Sequence, residues 1–234
     1  MVCVNRHSGG SGFTLERRDG GTEERGAGAS GEEVVNWEGF IKKLFEMAEP
    51  YLTTRGDLLH TRVAHEYALL LMEKEGGDRH IVEPAIILHD VGWSRLEPVE
   101  IKVAFGVRAA GEKAARINRV HELEGTRIAR ELLEDVEYDP LLIDRIALII
   151  ERHDSGKDPD SLEEELVKDA DRVWRFSQVG FRNEMERQEL TPYERYKFVV
   201  KNLNSWFFTK TAREIAEKEL KNRALEYGID PGPK

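Results

Sequence analysis

The chain has 234 residues, of which 40% are hydrophobic and 34% charged, and its 35 basic and 45 acidic side chains give a net charge of −10. This composition indicates a globular protein with a sizeable core and excludes wholesale disorder. No apolar run approaches the roughly 18 residues of a membrane span, and the N-terminus lacks the apolar stretch of a secretory signal. We therefore expect a cytoplasmic protein with no membrane partner. The net acidity argues against a groove for large nucleic acids, and the single cysteine, Cys3, excludes a zinc site built from thiolates.

Residues 1–33 hold 8 of the 20 glycines and almost no periodic apolar residues. Such a stretch is typical of a flexible, disordered leader. The remaining chain, 34–234, has a length that suits one large domain. Within it we expect a core over 57–182 and C-terminal helices over 191–227.

From residue 34 onward, apolar residues recur every three or four positions, whereas alternating strand patterns are short or absent. The pattern predicts an all-α fold. Helix-starting signals at Asp139-Pro140 and Thr191-Pro192 support two of the boundaries. The predicted helices cover 34–50, 57–75, 79–91, 119–135, 139–153, 161–182, 191–206 and 209–227. The stretch 92–118 has weak periodicity and is expected to be a loop or a lid.

Polar side chains lie on the apolar faces of these predicted helices. His60, for example, shares a face with Leu71 when each residue is rotated by about 100° from the last. The inward-facing set is His60, His89, Asp90, His121, His153 and Asp171. By contrast, His65 is rotated toward solvent or an edge, and Asp154 and Asp169 are interpreted as surface groups.

A single inward-facing histidine is typical of a hydrogen-bonded core residue. Six buried imidazoles and carboxylates together carry a large cost unless something satisfies them. Bound metal ions would do so. Nitrogen and oxygen donors without thiolate fit zinc, iron, manganese or nickel.

Three segments of the chain occur in a recognisable order. They are His60-Thr-Arg-Val-Ala64, Ala85-Ile-Ile-Leu-His89-Asp90-Val-Gly92 and Val167-Lys-Asp-Ala-Asp171-Arg172. Together they resemble the HD-domain superfamily of metal-dependent phosphohydrolases, whose pattern is a His, a later His-Asp doublet that closes an apolar helix, and a distant Asp. The resemblance implies an HD-domain-like helical bundle.

The resemblance also implies roles for individual residues. It assigns a first metal to four side chains: His60, His89, Asp90 and Asp171. His121 and His153 look like the two additional histidines of the binuclear subgroup, which implies two divalent ions such as Fe, Mn, Ni or Zn. Asp90 would then hold both ions and act as the catalytic residue that orients the nucleophile. Glu122 and Asp154 could support the adjacent histidines.

The sequence departs from many relatives directly after the His-Asp-x-Gly segment. A lysine at that point can help to hold a phosphate, whereas this chain has Trp93. Trp93 could stack on a base or sugar, or it could be a core aromatic residue at a helix end. The candidates for substrate contacts are Arg55, Arg62, Trp93, Arg95 and Arg172. Each arginine could equally be a surface ion-pair partner.

The function that the resemblance implies is hydrolysis of a phosphoester or phosphoanhydride bond in a small phosphorylated substrate, such as a nucleotide. A hydroxide that bridges two metals would be the nucleophile. The same ligand set occurs in HD-type di-iron oxygenases that act on a polyol or a phosphonate, so that activity stays an alternative. A catalytically silent, ligand-binding HD module is a third option, although the complete ligand set argues against it.

The C-terminal segment 191–227 is rich in aromatic residues. These side chains could cover the pocket, pack on the core or form the surface of a homodimer. Packing is the default interpretation, because apolar residues at helical spacing usually belong to the core.

Overall fold

The computed structural model of the protein describes residues 31–54, 56–104 and 111–230. Within these ranges the chain forms ten α-helices and one 3₁₀ turn and contains no strand, which confirms the predicted all-α fold. The elements are α1 (Gly31–Leu52), α2 (Asp57–Glu75), α3 (Arg79–Leu88), the 3₁₀ turn (Val91–Arg95), α4 (Pro98–Ala104), α5 (Gly111–Glu134), α6 (Pro140–Arg152), α7 (Leu162–Trp174), α8 (Gln178–Arg187), α9 (Pro192–Trp206) and α10 (Lys210–Tyr227). None of these helices is both long and apolar enough to cross a membrane. Residues 1–30 of the predicted leader lie outside the described residues, and α1 begins at Gly31.

Four helices, α2, α6, α9 and α10, begin and end within two residues of their predicted bounds. Capping side chains explain the agreement at the start of three of them, α6, α9 and α10. Asp139 accepts a hydrogen bond from the backbone N–H of Leu141, and Pro140 occupies the first turn of α6. At the start of α9, Thr191 and Glu194 form a reciprocal capping box. These contacts satisfy backbone N–H groups that have no partner within the helix.

The predicted single helix over 161–182 is wrong, because the chain breaks at 175–177 into α7 and α8. The hydroxyl of Ser177 donates to the carbonyl of Trp174 and accepts from the backbone N–H of Gly180, which ends one helix and caps the next. Gly180 also lies close to the preceding helix, since an added Cβ would be 2.0 Å from the carbonyl oxygen of Trp174.

The stretch 92–118 is largely helical in its described part, contrary to the expected loop or lid. It contains most of the 3₁₀ turn, all of α4 and the first residues of α5, which begins at Gly111 rather than at 119. Ala114 and Ile117 are buried and continue the inner stripe of α5 toward its N-terminus, which accounts for the early start. A small second core joins these elements and consists of Trp93, Leu96, Ile101, Ala104 and Ile117.

Helix α3 is the centre of the bundle. All its residues from Ile81 to Leu88 are buried, because α1, α2, α6 and α7 surround it. Its charged residue Glu83 is satisfied at the edge of the core by Trp37 and Arg79 and by His65, which is half-buried rather than turned to solvent. Because α3 is central, the residues that directly follow it, His89 and Asp90, lie in the interior of the molecule.

Candidate metal centre

One group of donors meets where α2, α3 and α7 converge. His60 Nε2, on α2, lies 3.0 Å from His89 Nε2 and 3.2 Å from Asp171 Oδ1 on α7. Asp90 Oδ2 lies 3.5 Å from the Nε2 atoms of both His60 and His89. We call these four residues the first half-site.

A second group lies on the other side of Asp90. His121 on α5 and His153, directly after α6, approach each other with 3.2 Å between their Nε2 atoms. Asp90 Oδ1 lies 4.0 Å from His121 Nε2 and 3.6 Å from His153 Nε2. We call Asp90, His121 and His153 the second half-site. Asp90 thus belongs to both half-sites and offers a different oxygen to each.

Three residues of each half-site could hold a metal ion, because their donor atoms lie within 4.8 Å of one another: His60, His89 and Asp90 in the first, and Asp90, His121 and His153 in the second. The ring orientation supports this. His89 Nδ1 lies 2.8 Å from the carbonyl oxygen of Ile86, and His153 Nδ1 lies 2.7 Å from that of Ile150. A carbonyl oxygen only accepts, so each Nδ1 donates and the neutral ring directs its Nε2 lone pair inward. Such donors fit a cation well.

The six side chains are almost completely removed from water, with none more than 8% exposed. Burial by itself would lower the pKa of His153, but hydrogen bonding to Asp90 and the charges of Asp154, Asp90 and Glu122 raise that pKa to about 9. Burial would raise the pKa of Asp171, but Arg175 and the hydrogen bonds from His60 and His89 hold it well below its usual range. The site therefore holds positively and negatively charged side chains close together, away from water.

Two tryptophans form walls of the half-sites. Trp93 is buried, its indole N–H donates to Asp90 Oδ1 at 2.9 Å, and its ring stacks on His121 with 4.0 Å between centroids. Trp174 meets His60 edge-on at 5.1 Å. Trp93 therefore contacts two residues of the second half-site, Asp90 and His121.

Three of the predicted arginines lie in the described chain, Arg62, Arg95 and Arg172, and their observed contacts are with residues outside the half-sites. Arg55 lies outside the described residues. Arg62 is exposed and lies over the ring of Phe45, and Arg95 is exposed beside Tyr51; within the described chain neither has a hydrogen bond or ion pair to a half-site residue. Arg172 is closer to the site but donates to the carbonyl of Trp206 and lies over the ring of Phe208.

Two further charged residues, Asp154 and Arg175, border the half-sites. Asp154, interpreted as a surface group or a support, has Oδ2 only 3.6 Å from His121 Nε2 and 4.0 Å from His153 Nε2. Arg175 was not singled out, and its Nη2 lies 3.6 Å from Asp171 Oδ2. The available signal was its position four residues after Asp171, which places both side chains on one helix face.

The interpretation of Asp169 as a solvated surface group is wrong, because this residue is fully buried. Its carboxylate accepts hydrogen bonds from the backbone N–H groups of Phe208 and Thr209 and from the hydroxyl of Thr209. Burial nevertheless raises the pKa of Asp169. Asp169 thus joins α7 to the start of α10, a contact that a helical wheel of α7 alone cannot reveal.

The turn that carries His153 and Asp154 is held from two sides. Glu122 on α5 accepts from the backbone N–H groups of Asp154 and Ser155, at 3.1 and 2.7 Å. From α7, the fully buried Lys168 donates to the carbonyls of Arg152, His153 and Gly156. Both contacts position the second half-site relative to neighbouring helices.

Comparison with known proteins agrees with this arrangement. The family model of the HD domain matches residues 58–175, a range that contains all six half-site residues. A protein described as a predicted HD superfamily hydrolase, from an uncultured Thermotogales bacterium, is 19% identical with a TM-score of 0.55, and the match covers 80% of this chain and 88% of that one. An HD-superfamily hydrolase from Bacillus thuringiensis is 21% identical with a TM-score of 0.57, and the match covers 81% and 93%.

These two structural similarities establish a shared fold. Comparison with curated proteins found no significant match. The family model spans half of the chain, from the first turn of α2 to the residue after α7. The matched range contains the five helices that carry or directly precede the converging His and Asp side chains, namely α2, α3, α5, α6 and α7. The chain belongs to the HD domain family.

Proposed function

We propose that this protein is a metal-dependent phosphohydrolase that cleaves a phosphoester or phosphoanhydride bond in a small phosphorylated substrate, such as a nucleotide. The observation that carries this proposal is Asp90, whose two oxygens face two separate pairs of histidines. A carboxylate between two metal sites is suited to reactions in which one phosphate group is held by both.

The residues that would hold the metals are those of the two half-sites, with Asp90 common to both. Divalent ions such as Fe, Mn, Ni or Zn, when bound there, supply Lewis acidity that promotes the attack of water on phosphorus and offsets negative charge. Nitrogen and carboxylate donors without thiolate suit this group of metals.

The chain's own side chains prepare the site for that chemistry. The backbone carbonyls of Ile86 and Ile150 orient two histidine rings, and the indole N–H of Trp93 orients Asp90. Burial of the half-sites excludes bulk water and strengthens the electrostatic interactions within them. Asp154, beside the second half-site, is more exposed than Asp90, with 36% of its side chain accessible against 7%. It therefore marks the side from which a substrate would reach the donors.

Metal content provides the first test. Untagged protein, purified without chelator, is analysed by elemental mass spectrometry for the wild type, His121→Ala and His60→Ala. We expect about two metals per chain in the wild type and a loss in each variant. His80→Ala is the matched control, because His80 is an exposed histidine paired with Asp78 outside both half-sites.

Phosphate release from a panel of phosphomonoesters, nucleotides and phosphodiesters provides the second test. The wild type with its metal should release phosphate or a phosphorylated product from at least one class, and Asp90→Asn should reduce that release to background. Oxygen consumption by iron-loaded protein without phosphate release would contradict the proposal and favour a di-iron oxygenase. Absence of bound metal under all loading conditions would contradict both activities.

A further inference from the structure

Arg175 borders the first half-site at Asp171. It directly follows α7, four residues after Asp171, and its Nη2 lies 3.6 Å from Asp171 Oδ2. Its side chain is 21% exposed, whereas the side chain of Asp171 is 8% exposed. The guanidinium group is therefore the more accessible partner in its contact with Asp171.

Within the described chain, the N–H groups of this guanidinium donate no hydrogen bond at normal distance, although the group forms an ion pair with Asp171. The contact with Asp171 exceeds hydrogen-bond distance, and the other neighbour is the ring of Trp206, whose centroid is 5.8 Å from Cζ. Arg172, one turn earlier, instead donates to the carbonyl of Trp206. Arginine carries five N–H donors in a fixed planar fork, so Arg175 retains donors for a bound acceptor.

The position of Arg175 is nevertheless well fixed. Its backbone carbonyl accepts a hydrogen bond from Nη2 of Arg195, which is fully buried on α9. Trp206, at the end of α9, packs edge-on against Phe176 and Phe198. The guanidinium thus lies beside an aromatic ring that neighbouring side chains hold in place.

The guanidinium group of Arg175 is positively charged in this environment. Burial would lower its pKa, but the carboxylates of Asp171, Glu184, Asp154 and Asp90 raise it above the ordinary arginine value. Cations bound at the half-sites would neutralise two of these carboxylates, those of Asp171 and Asp90. The positive charge of Arg175 would then be available to an anion beside the metal centre.

We propose that Arg175 binds the terminal phosphate of the substrate, with its planar fork directed at two phosphate oxygens beside the first half-site. A terminal phosphate presents at least two free oxygens to one side, which matches the spacing of the guanidinium N–H groups better than a single alcohol or ether oxygen does. This inference rests on the proposed function and narrows it to phosphomonoesters and nucleoside polyphosphates. It also assigns the role of phosphate-binding cation to a residue after α7 rather than to the position of Trp93.

Inorganic phosphate is the probe for this proposal. Its dissociation constant is measured by isothermal titration calorimetry with manganese-loaded wild type, Arg175→Met and Arg175→Lys, each at the same ionic strength. We expect Arg175→Met to weaken phosphate binding by about 10- to 100-fold, because a charge-assisted pair of hydrogen bonds is lost. Arg175→Lys keeps the charge but not the fork, and should fall between the other two.

Arg182→Met is the matched control, because Arg182 is an exposed arginine on α8 that pairs with Glu226. It removes the same charge and should leave phosphate affinity unchanged. Metal content and thermal unfolding are recorded for every variant. Full phosphate affinity in a metal-replete Arg175→Met protein would overturn the role of Arg175 while leaving the phosphohydrolase proposal intact.

Two other results would also overturn the role of Arg175. If Arg175→Met loses metal along with phosphate, and phosphate affinity returns when metal is restored, Arg175 positions Asp171 and does not bind phosphate. If the metal-loaded wild type binds no phosphate at millimolar concentration, both the role of Arg175 and the phosphohydrolase proposal are contradicted. The metal and phosphate measurements together distinguish these results.

Discussion

Gly92 lies where the 3₁₀ turn approaches the backbone of α5. A Cβ added there would be 1.9 Å from the carbonyl oxygen of His121 and 2.4 Å from the backbone nitrogen of Gly125. Backbone atoms cannot move aside as the end of a side chain can. We therefore expect Gly92→Ala to lower the free energy of unfolding by about 3 kcal/mol and to weaken metal binding at the second half-site, measured by denaturant titration and elemental analysis.

Gly39→Ala is the matched control for this substitution. Gly39 is exposed on α1, and an added Cβ would have no neighbour within 4 Å. Alanine is favoured over glycine inside a helix, so this variant should be more stable by roughly 0.5–1 kcal/mol. Equal stability of Gly92→Ala and the wild type would contradict the close approach of the 3₁₀ turn to α5.

His153 makes the stability of the metal-free protein dependent on pH. Its pKa rises from 6.5 to about 9 in the folded chain, so folding favours the protonated ring. The stabilisation is complete below about pH 6.5 and is lost as the pH rises through about 9. We expect the free energy of unfolding in chelator to fall by a few kcal/mol across this range, and to fall less in His153→Gln. Parallel pH profiles for the two proteins would contradict this assignment.

At the scale of single residues, periodicity found the inward-facing set because a ligand must share a helix face with the core. His60 and Asp171 are examples, since neighbouring apolar residues identify their faces. The errors concern contacts between elements. Asp169 faces away from the half-sites but binds the start of α10, and Arg175 lies beyond the end of its helix. The periodicity of α7 gives no signal for the contact of Asp169, whereas the position of Arg175 four residues after Asp171 was an available signal.

Among the elements, the connection between α6 and α7 depends on Lys168. Its ammonium group is fully buried, donates to three carbonyls at and just after the end of α6, and pairs with Glu164 at 3.4 Å. Lys168→Met would leave these acceptors and a buried carboxylate with fewer partners. We expect the free energy of unfolding to fall by about 2–3 kcal/mol, measured by denaturant titration.

Lys42→Met provides the comparison, because Lys42 is an exposed lysine whose partner Glu46 lies 3.9 Å away. Loss of such a surface pair should change stability by less than about 0.5 kcal/mol. Equal effects of the two substitutions would show that Lys168 contributes no more than a surface lysine. If Lys168→Met still binds metal at the second half-site, Lys168 contributes to stability but not to metal binding.

The boundaries of the elements were predictable where local chemistry determines them. Asp139 and Thr191 cap helices with side chains close in sequence, so their helices begin where expected. The break at Ser177 also has a local cause, since its hydroxyl binds Trp174 and Gly180, but it interrupts a stripe of apolar residues that predicts one continuous helix. The early start at Gly111 is accompanied by packing of Ile117 in the second core, a contact with other elements that the pattern of α5 alone does not show.

Across the whole molecule, the half-sites join five elements that are separated by long stretches of chain. His60 lies on α2 and Asp171 on α7, with donors after α3, on α5 and after α6 between them. A metal that binds this folded arrangement but not the unfolded chain must stabilise the fold. At a manganese concentration of 100 times the dissociation constant, we expect the thermal midpoint to rise by roughly 5–10 °C relative to chelator-treated protein.

Removal of one histidine from each half-site tests this linkage. The double variant His89→Ala with His121→Ala should show the same midpoint in manganese and in chelator. A large shift in that variant would place the stabilising ion elsewhere on the protein. An unchanged midpoint in the wild type, despite bound metal, would indicate that the unfolded chain binds the ion equally well.

The two tryptophan walls give the half-sites separate optical labels. The indole of Trp93 stacks on His121, whereas that of Trp174 meets His60. Indole emission responds to the charge and protonation of an adjacent imidazole, so an ion at either half-site changes the fluorescence of a different tryptophan. In Trp93→Phe the remaining response should report the first half-site, and in Trp174→Phe the second. The order in which the two half-sites fill can therefore be followed by the protein's own emission, without an added dye.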